Sequence, residues 1–431
     1  MKSPARTLAG WLAYQQQLHP SSIDLGLERV TRVAQRLELV PRAGAAAGTW
    51  ATRSVIVGGT NGKGSTAAFI AALAQAHGLR VGLFTSPHLL RYEERIRVKG
   101  EAISAAALVA AFEQIESARA ADSLTFFEFN ALAALLHFRA EQVQLAVLEV
   151  GLGGRLDATN VIDADVAVLC SVGIDHRDWL GHTLESIGRE KAGIFRAGQA
   201  VILGTTDMPA SVRAALLALH CRAAVAEVDF NFTRQADGSW DYRDALGDMA
   251  RLPAPALQGA IQYRNAATAI AAARLLLAPQ PLQPLMVARA LRELRLPGRL
   301  QFIPGPVEWL LDVAHNEAAA AVLAGELQAR PAPGRTIAIL GMLADKDVAA
   351  VAAQLDPLVD RWLLCSIDEP RGLSAQQLCE RLGALRGAAE LLDSISAGCA
   401  RARDCAAPGD RVVVCGSFHS VGPALQWLGL Y

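Results

Sequence analysis

Short β-branched runs alternate with longer Ala- and Leu-rich stretches of helical period along most of this chain. Parallel strands impose that alternation, because each strand must be carried back to the same edge of the sheet by a crossover helix. The fold class that follows is α/β. The first candidate strands are Ser54–Val57, Arg80–Phe84, Leu145–Val150, Asp165–Leu169 and Ala200–Leu203. Most of them run into Gly, Ser, Asp or Thr, and ligands of open parallel sheets gather outside the carboxyl strand ends. Chemistry is expected there.

Residues 205–258 are less regular and read as a hairpin or a surface excursion, and an Ala/Gly stretch at 43–48 reads as a loop. A helix from about Gln262 to Leu277 precedes a proline-punctuated stretch and Leu296-Pro-Gly-Arg-Leu300. The domain boundary falls there, giving domains of residues 1–295 and 296–431. A second strand series begins beyond it: Val307–Leu311, Arg335–Leu340, Arg361–Cys365 and Arg411–Cys415, with helices near 316–329, 347–355, 375–384 and 422–429. The length of 431 residues suits two or three domains at ~100–200 residues each.

Lys and Arg total 41 against 42 Asp and Glu, a formal net charge of -1. No global basic field exists to hold nucleic acid or an anionic membrane, so any anion must be bound locally. Seven scattered cysteines without a CxxC pair fit reduced thiols better than bridges or zinc. No apolar run approaches ~18 residues and the first residues lack a secretory core. A cytoplasmic protein, neither exported nor membrane-spanning, is expected.

After the first strand stands Gly58-Gly-Thr-Asn-Gly-Lys-Gly-Ser-Thr66, then an Ala-rich helix. Backbone N–H groups in such a strand-to-helix turn converge on an anion, the helix dipole adds positive potential, and Lys63 supplies a cation for β/γ-phosphates. The spacing departs from GxxxxGK[ST], since Gly64 separates Lys63 from Ser65. A divalent ion bridging the phosphates needs hard ligands at neighbouring strand ends. Ser86, Glu149 and His176 are the candidates. Each has a plainer alternative: a turn cap, a paired buried carboxylate, a hydrogen-bonding loop histidine. Lys191 reads either as a lysine paired with a local acid or, with its pKa lowered by burial, as an amine able to take up carbon dioxide as a carbamate.

Five motifs in order, Gly59–Ser65, Thr85–Leu89, Glu149–Asn160, Asp175–Gly181 and Glu190–Ile194, resemble the folylpolyglutamate synthase family of ATP-dependent amide ligases, to which the cell-wall Mur ligases are related. The resemblance implies a P-loop-type, mostly parallel ATPase domain followed by a smaller Rossmann-like α/β domain. Thr60, Asn61, Gly62, Lys63, Gly64 and Ser65 match positions that hold ATP. Ser86, Glu149 and His176 match magnesium ligands, implying two Mg2+ ions, and Lys191 matches a carbamylated lysine. Asn265, Arg299 and Asp312 match nucleotide contacts, and His315 and Ser417 resemble positions near the incoming amino acid. Val313 stands where many relatives have Gly. For Asp312 a helix N-cap before Glu317 is the plainer alternative.

Only about 57 residues precede the phosphate loop, too few for the uridine-sugar domain of a Mur ligase, since one βαβ unit takes ~30. Those residues include Leu18–Val30, in which Asp24, Leu25 and Gly26 resemble the pterin-binding segment of bifunctional dihydrofolate synthases. Thr125, Phe126, Phe127 and Glu128, with Leu156, Asp157 and Ala158, resemble further walls of that pocket. Aromatic rings can stack on a flat pterin, and carboxylates such as Asp24 or Asp157 can accept its ring N–H groups. Core packing is the plainer role for the two phenylalanines. The resemblance implies ligation of L-glutamate to dihydropteroate and reduced folates by a monomer that contacts ATP from both domains, with closure about residues 296–298. An enzyme limited to reduced folates and a nucleotide-dependent switch are the alternatives.

Overall fold

The computed structural model describes residues 7–21, 23–41 and 52–431. The stretch 43–48 lies outside them. In the first of two compact units, residues 1–254 with 264–294, the apolar runs become strands buried on both faces, which is why they read as continuous rather than alternating. The strands are β1 (Arg53–Gly58), β2 (Val81–Phe84), β3 (Ile96–Val98), β4 (Glu101–Ala102), β5 (Leu145–Glu149), β6 (Val166–Leu169), β7 (Ala200–Leu203) and β8 (Arg222–Val225). They form one sheet in the order β4-β3-β2-β5-β1-β6-β7-β8. Only the β2–β3 and β3–β4 pairings are antiparallel. Because β5 and β6 flank β1, the loops that leave β1, β5 and β6 emerge side by side at the carboxyl edge.

The helices packing this sheet carry explicit start signals. Thr125 accepts from the Glu128 N–H while the Glu128 carboxylate accepts from the Thr125 N–H, a capping box opening the helix Phe126–Ala140. Ser104 caps Ala105–Arg119 and Thr183 caps Leu184–Ala192. The buried side includes Phe112, Phe129, Leu132 and Phe138.

The irregular stretch 205–258 is partly a continuation of the main sheet, a correction for its first part, and beyond that part it is antiparallel, in keeping with the hairpin expected there. The helix Ala210–Ala218 leads into β8, which pairs with β7. Three antiparallel strands follow, β9 (Phe230–Arg234), β10 (Trp240–Asp244) and β11 (Met249–Leu252). They close around Trp240 and Tyr242, both fully buried, and Arg274 of the helix Ile261–Leu277 pairs with Asp244.

The second unit comprises residues 255–263 and 295–431. Its strands are β12 (Gln301–Ile303), β13 (Glu308–Leu311), β14 (Thr336–Leu340), β15 (Arg361–Cys365), β16 (Ala388–Leu392) and β17 (Arg411–Cys415), ordered β12-β13-β17-β14-β15-β16. All pairings but β12–β13 are parallel. Leu310, Leu340, Trp362 and Val413 lie in its core. The last helix spans Phe418–Trp427, starting earlier than its apolar pattern suggests, because Ser417 caps it through the Ser420 N–H. Both units are thus α/β. Among the described residues no helix is long and apolar enough to cross a membrane.

Candidate active site

The phosphate loop is held from three sides. Gly62 caps the helix Lys63–Ala76 in the left-handed region, at φ 87°. The positive φ favours glycine there, and a Cβ would fall 3.0 Å from Asn265 Oδ1, so Asn265 is brought against the loop. The Thr60 hydroxyl donates to the Gly173 carbonyl and the Thr60 N–H to the Ser171 carbonyl. Asn61 N–H donates to Ser171 Oγ at 3.1 Å. The loop after β6 therefore fixes the loop after β1.

Two lysines meet on one carbonyl. Lys63 Nζ donates to Gly59 O at 2.9 Å and to Thr60 O at 3.1 Å, and Lys191 Nζ donates to the same Gly59 O at 3.0 Å. Lys191 is 5% exposed. Burial, with the neighbouring Lys63 charge, brings its amine down to about 7. The plainer alternative, a lysine paired with a carboxylate in a direct ion pair, is not what the geometry shows.

The glycine-rich motif after β5 is mostly a brace for this lysine. Asp157 is buried, and its carboxylate accepts from Gly151 N–H, Leu152 N–H, Thr159 N–H and the Thr159 hydroxyl. Four donors fill both oxygens, so the expected acceptance of pterin N–H groups by this carboxylate gives way to anchoring the turn; burial still pushes its pKa upward. Asn160 Nδ2 donates to the carbonyls of Arg155 and Gly193, tying the turn to the end of the helix that carries Lys191.

At the neighbouring strand ends, Ser86 N–H donates to Glu149 Oε2 at 3.0 Å, and Glu149 is 4% exposed. His176 follows β6 in the left-handed region at φ 52°, a strained position for a non-glycine residue, held by its N–H donating to Asp175 Oδ1 and its carbonyl accepting from the Trp179 and Leu180 N–H groups. Its ring lies 4.0 Å from the Asp175 carboxylate. Among the described residues no group of three or more His, Cys, Asp or Glu is arranged to hold a metal. The expected set contains only two such residues and a hydroxyl, all hard or borderline donors that suit a divalent ion bound mainly by phosphate.

The three pterin-like segments also come together. Arg29, which no motif singled out, donates to Asp24 Oδ2 at 2.7 Å and lies 3.3 Å from Glu128 Oε1. His19 reaches the same Asp24 oxygen at 3.0 Å. Leu25 and Gly26 remain partly exposed beside them. Phe126 packs edge-on to Tyr92 and Phe127 tilts against Phe84, at centroid separations of 5.4 and 5.8 Å. Both rings are only partly buried, so core packing accounts for one face of each. A Cβ on Gly151 would fall 2.4 Å from Phe127 Cζ. Gly151→Ala is expected to displace that ring, lowering stability by ~1–3 kcal/mol through overpacking and weakening pterin binding; thermal denaturation and ligand titration would check both.

In the second unit, Asp312 accepts from Leu300 N–H and Ala314 N–H at 2.7 and 2.8 Å, and burial raises its pKa against the nearby Arg299 charge. It is not the cap of the following helix; Asn316 takes that post through Ala319 N–H. Arg299 lies over the Phe418 ring at 4.9 Å. His315 Nδ1 is 2.8 Å from Val313 O, and Ser417 is buried as a cap.

Residues 57–241 match the Mur ligase middle domain and residues 298–418 the Mur ligase, glutamate ligase domain. The chain is 42% identical to the dihydrofolate synthase/folylpolyglutamate synthase of Escherichia coli (strain K12) over 422 residues, covering 98% of this chain and 96% of that protein. The structure of E. coli FolC in complex with DHPP and ADP is similar with a TM-score of 0.91 at 40% identity, covering 99% of each chain. A bifunctional folylpolyglutamate synthase/dihydrofolate synthase with Mn, AMPPNP and L-glutamate bound gives 0.89 at 40% identity over 100% of both. With its phosphate loop, its pterin-like segments and likeness of this breadth, the chain belongs to the dihydrofolate synthase/folylpolyglutamate synthase family of ATP-dependent ligases.

Proposed function

We propose that this protein joins L-glutamate to dihydropteroate, giving dihydrofolate, and to reduced folates, giving folylpolyglutamates, through an acyl phosphate. The observation carrying the reading is the convergence of Lys63 and Lys191 on the phosphate loop of a unit whose Arg29 also ties the pterin-like segments together. The relatives that hold ADP with DHPP, and AMPPNP with L-glutamate, support the same assignment.

In this reading Thr60 to Ser65 cradle the phosphates, and Asn265, Arg299 and Asp312 contact the nucleotide. Ser86, Glu149 and His176 would hold Mg2+, which when bound neutralises phosphate charge. Lys191 serves as the N6-carboxylysine. Asp24, Leu25, Gly26 and Thr125 to Glu128, with Leu156 to Ala158, wall the pterin, and His315 and Ser417 lie near glutamate. No enzyme nucleophile is needed, so catalysis is positioning and charge stabilisation. Seven free cysteines suit the reducing cytoplasm, where the protein would work as a monomer.

The test mixes protein, ATP, magnesium, dihydropteroate and glutamate, omitting each in turn, with the acid carrying heavy oxygen in its carboxylate. ADP and dihydrofolate should form only in the complete mixture, and one heavy oxygen should pass into inorganic phosphate. Amide formation without that transfer would exclude the acyl phosphate. Activity with reduced folates alone would indicate the narrower enzyme, and glutamate-independent hydrolysis a switch.

A further inference from the structure

His19 has no part in the roles above, yet it stands where the pterin-like segment is held. It follows the helix Leu8–Leu18, which packs through Trp11 against Phe112 at a centroid separation of 5.8 Å, and it precedes Pro20. Its ring reaches two ways: Nε2 lies 3.0 Å from Asp24 Oδ2 and Nδ1 lies 3.0 Å from Ser123 Oγ. A carboxylate only accepts, so the proton resides on Nε2 and, in the neutral ring, the Ser123 hydroxyl donates to Nδ1. Ser123 stands just before Thr125, whose capping box opens the helix bearing Phe126 and Phe127. One imidazole thus joins the end of the first helix, the Asp24 segment and the start of the aromatic wall.

The Asp24 segment has few other supports. Among the described residues, Ile23 to Gly26 make no backbone-to-backbone hydrogen bond. Asp24 is held through side chains instead: Arg29 Nη1 donates to its Oδ2 at 2.7 Å and Arg29 Nη2 to its carbonyl at 2.9 Å. Oδ2 therefore carries two donors, from Arg29 and His19, which fill its two lone-pair sites. Oδ1 accepts from none of the described residues, and the side chain is 41% exposed. An ion pair this exposed adds little to fold stability. What the double clamp does is stop the carboxylate from rotating about its last bond. One oxygen is left open at a fixed place, the condition for an acceptor that meets its ligand without first having to be ordered.

We propose that His19 is a positioning residue for the acid substrate: with Arg29 it locks the Asp24 carboxylate so that Oδ1 accepts one N–H of the pterin ring, and through Ser123 it sets that oxygen against the aromatic wall. This rests on the pterin assignment of Asp24, Phe126 and Phe127 made above. His19 itself touches no substrate and moves no proton in the reaction. Its loss is therefore felt in the binding of the acid and not in phosphoryl transfer, because the phosphate loop and both of its lysines lie on other elements. What the clamp needs is a donor at the place of Nε2, so the ring is replaceable by a side chain that puts an N–H there.

Steady-state kinetics of the full-length protein with dihydropteroate, ATP, magnesium and glutamate separate this from a packing role. His19→Ala should raise KM for dihydropteroate ~10-fold, the scale of one hydrogen bond to a charged group, with kcat and KM for ATP nearly unchanged. His19→Gln, whose amide nitrogen falls near the place of Nε2, should recover most of the loss, whereas His19→Asn, whose amide nitrogen falls near that of Nδ1, should not. Ser123→Ala keeps the bond to Asp24 and should raise KM less than His19→Ala does. Adding His19→Ala to Asp24→Ala should cost nothing further, since both act through one carboxylate. Additive losses, a glutamine variant no better than the asparagine one, or an unchanged KM in His19→Ala beside a raised one in Asp24→Ala would overturn the assignment. If His19→Ala proves unfolded, the glutamine, asparagine and Ser123 variants carry the same comparison. Should Asp24→Ala take dihydropteroate as the unsubstituted protein does, the pterin reading of Asp24 falls, and this inference with it.

Discussion

Lys63→Ala is expected to lower turnover by ~10²–10³-fold, the scale for deleting one donor aimed at developing transition-state charge. The side chain is partly exposed, and its own contacts are two carbonyls of the loop it leaves, so the fold should be little affected. The lost group is a cation meant for the transferring phosphoryl group, and the loss should therefore appear in kcat, with the KM for the acid nearly constant. Lys63→Arg should not restore the rate, because a wider planar head in place of a compact ammonium disturbs the turn it must cross. Steady-state ADP release with both substrates saturating is the measurement. Near-normal turnover of the alanine variant would show that Lys63 is misassigned.

Lys191→Met should remove a comparable part of the activity and carry a pH signature. With its amine near 7, Lys191 is largely neutral at pH 7.5, whereas an ordinary lysine, at a pKa of ~10.4, would be about 0.1% neutral. Only the neutral amine can form a bond to the carbon of carbon dioxide, releasing a proton and leaving an anionic carbamate. Carbamate occupancy, and activity with it, should fall as pH drops through about 7. The stability consequence has a definite sign. The folded pKa lies below the unfolded one, so the cost of burying the ammonium is complete below pH 7 and is relieved as pH rises from there toward 10. Without bicarbonate, the methionine variant should therefore gain most over the unsubstituted protein near pH 6 and lose more than half of that advantage by pH 9, as read from denaturant midpoints. Bicarbonate should raise the activity of a depleted sample of the unsubstituted protein and leave the variant unchanged. A bicarbonate-independent rate in the depleted protein would exclude the carboxylated lysine.

What could be read from the sequence, and what could not, follows from how local each interaction is. The phosphate loop was legible because strand, glycines, lysine and helix are consecutive and each has a direct physical function. The central strands were legible because burial on both faces leaves unbroken apolar runs. β3 and β4 were not, being three and two residues long, too short for any period to register. Asp157 illustrates a different limit. Its residue type suggested a substrate acceptor, but its partners are backbone N–H groups whose directions exist only once the turn is formed. Arg29 joins Asp24 to Glu128 across about a hundred residues of chain, a pairing that no spacing announces.

The sheet β9–β11 has a practical consequence. It closes on its own aromatic pair, and the turn at 235–239 between β9 and β10 is solvent-facing, with Asp237 bonded only to its immediate surroundings and to Arg251. A fluorophore or affinity handle inserted after Asp237 should thus leave ligation intact, offering a place to tether the enzyme for single-molecule or immobilised work without touching either chain terminus.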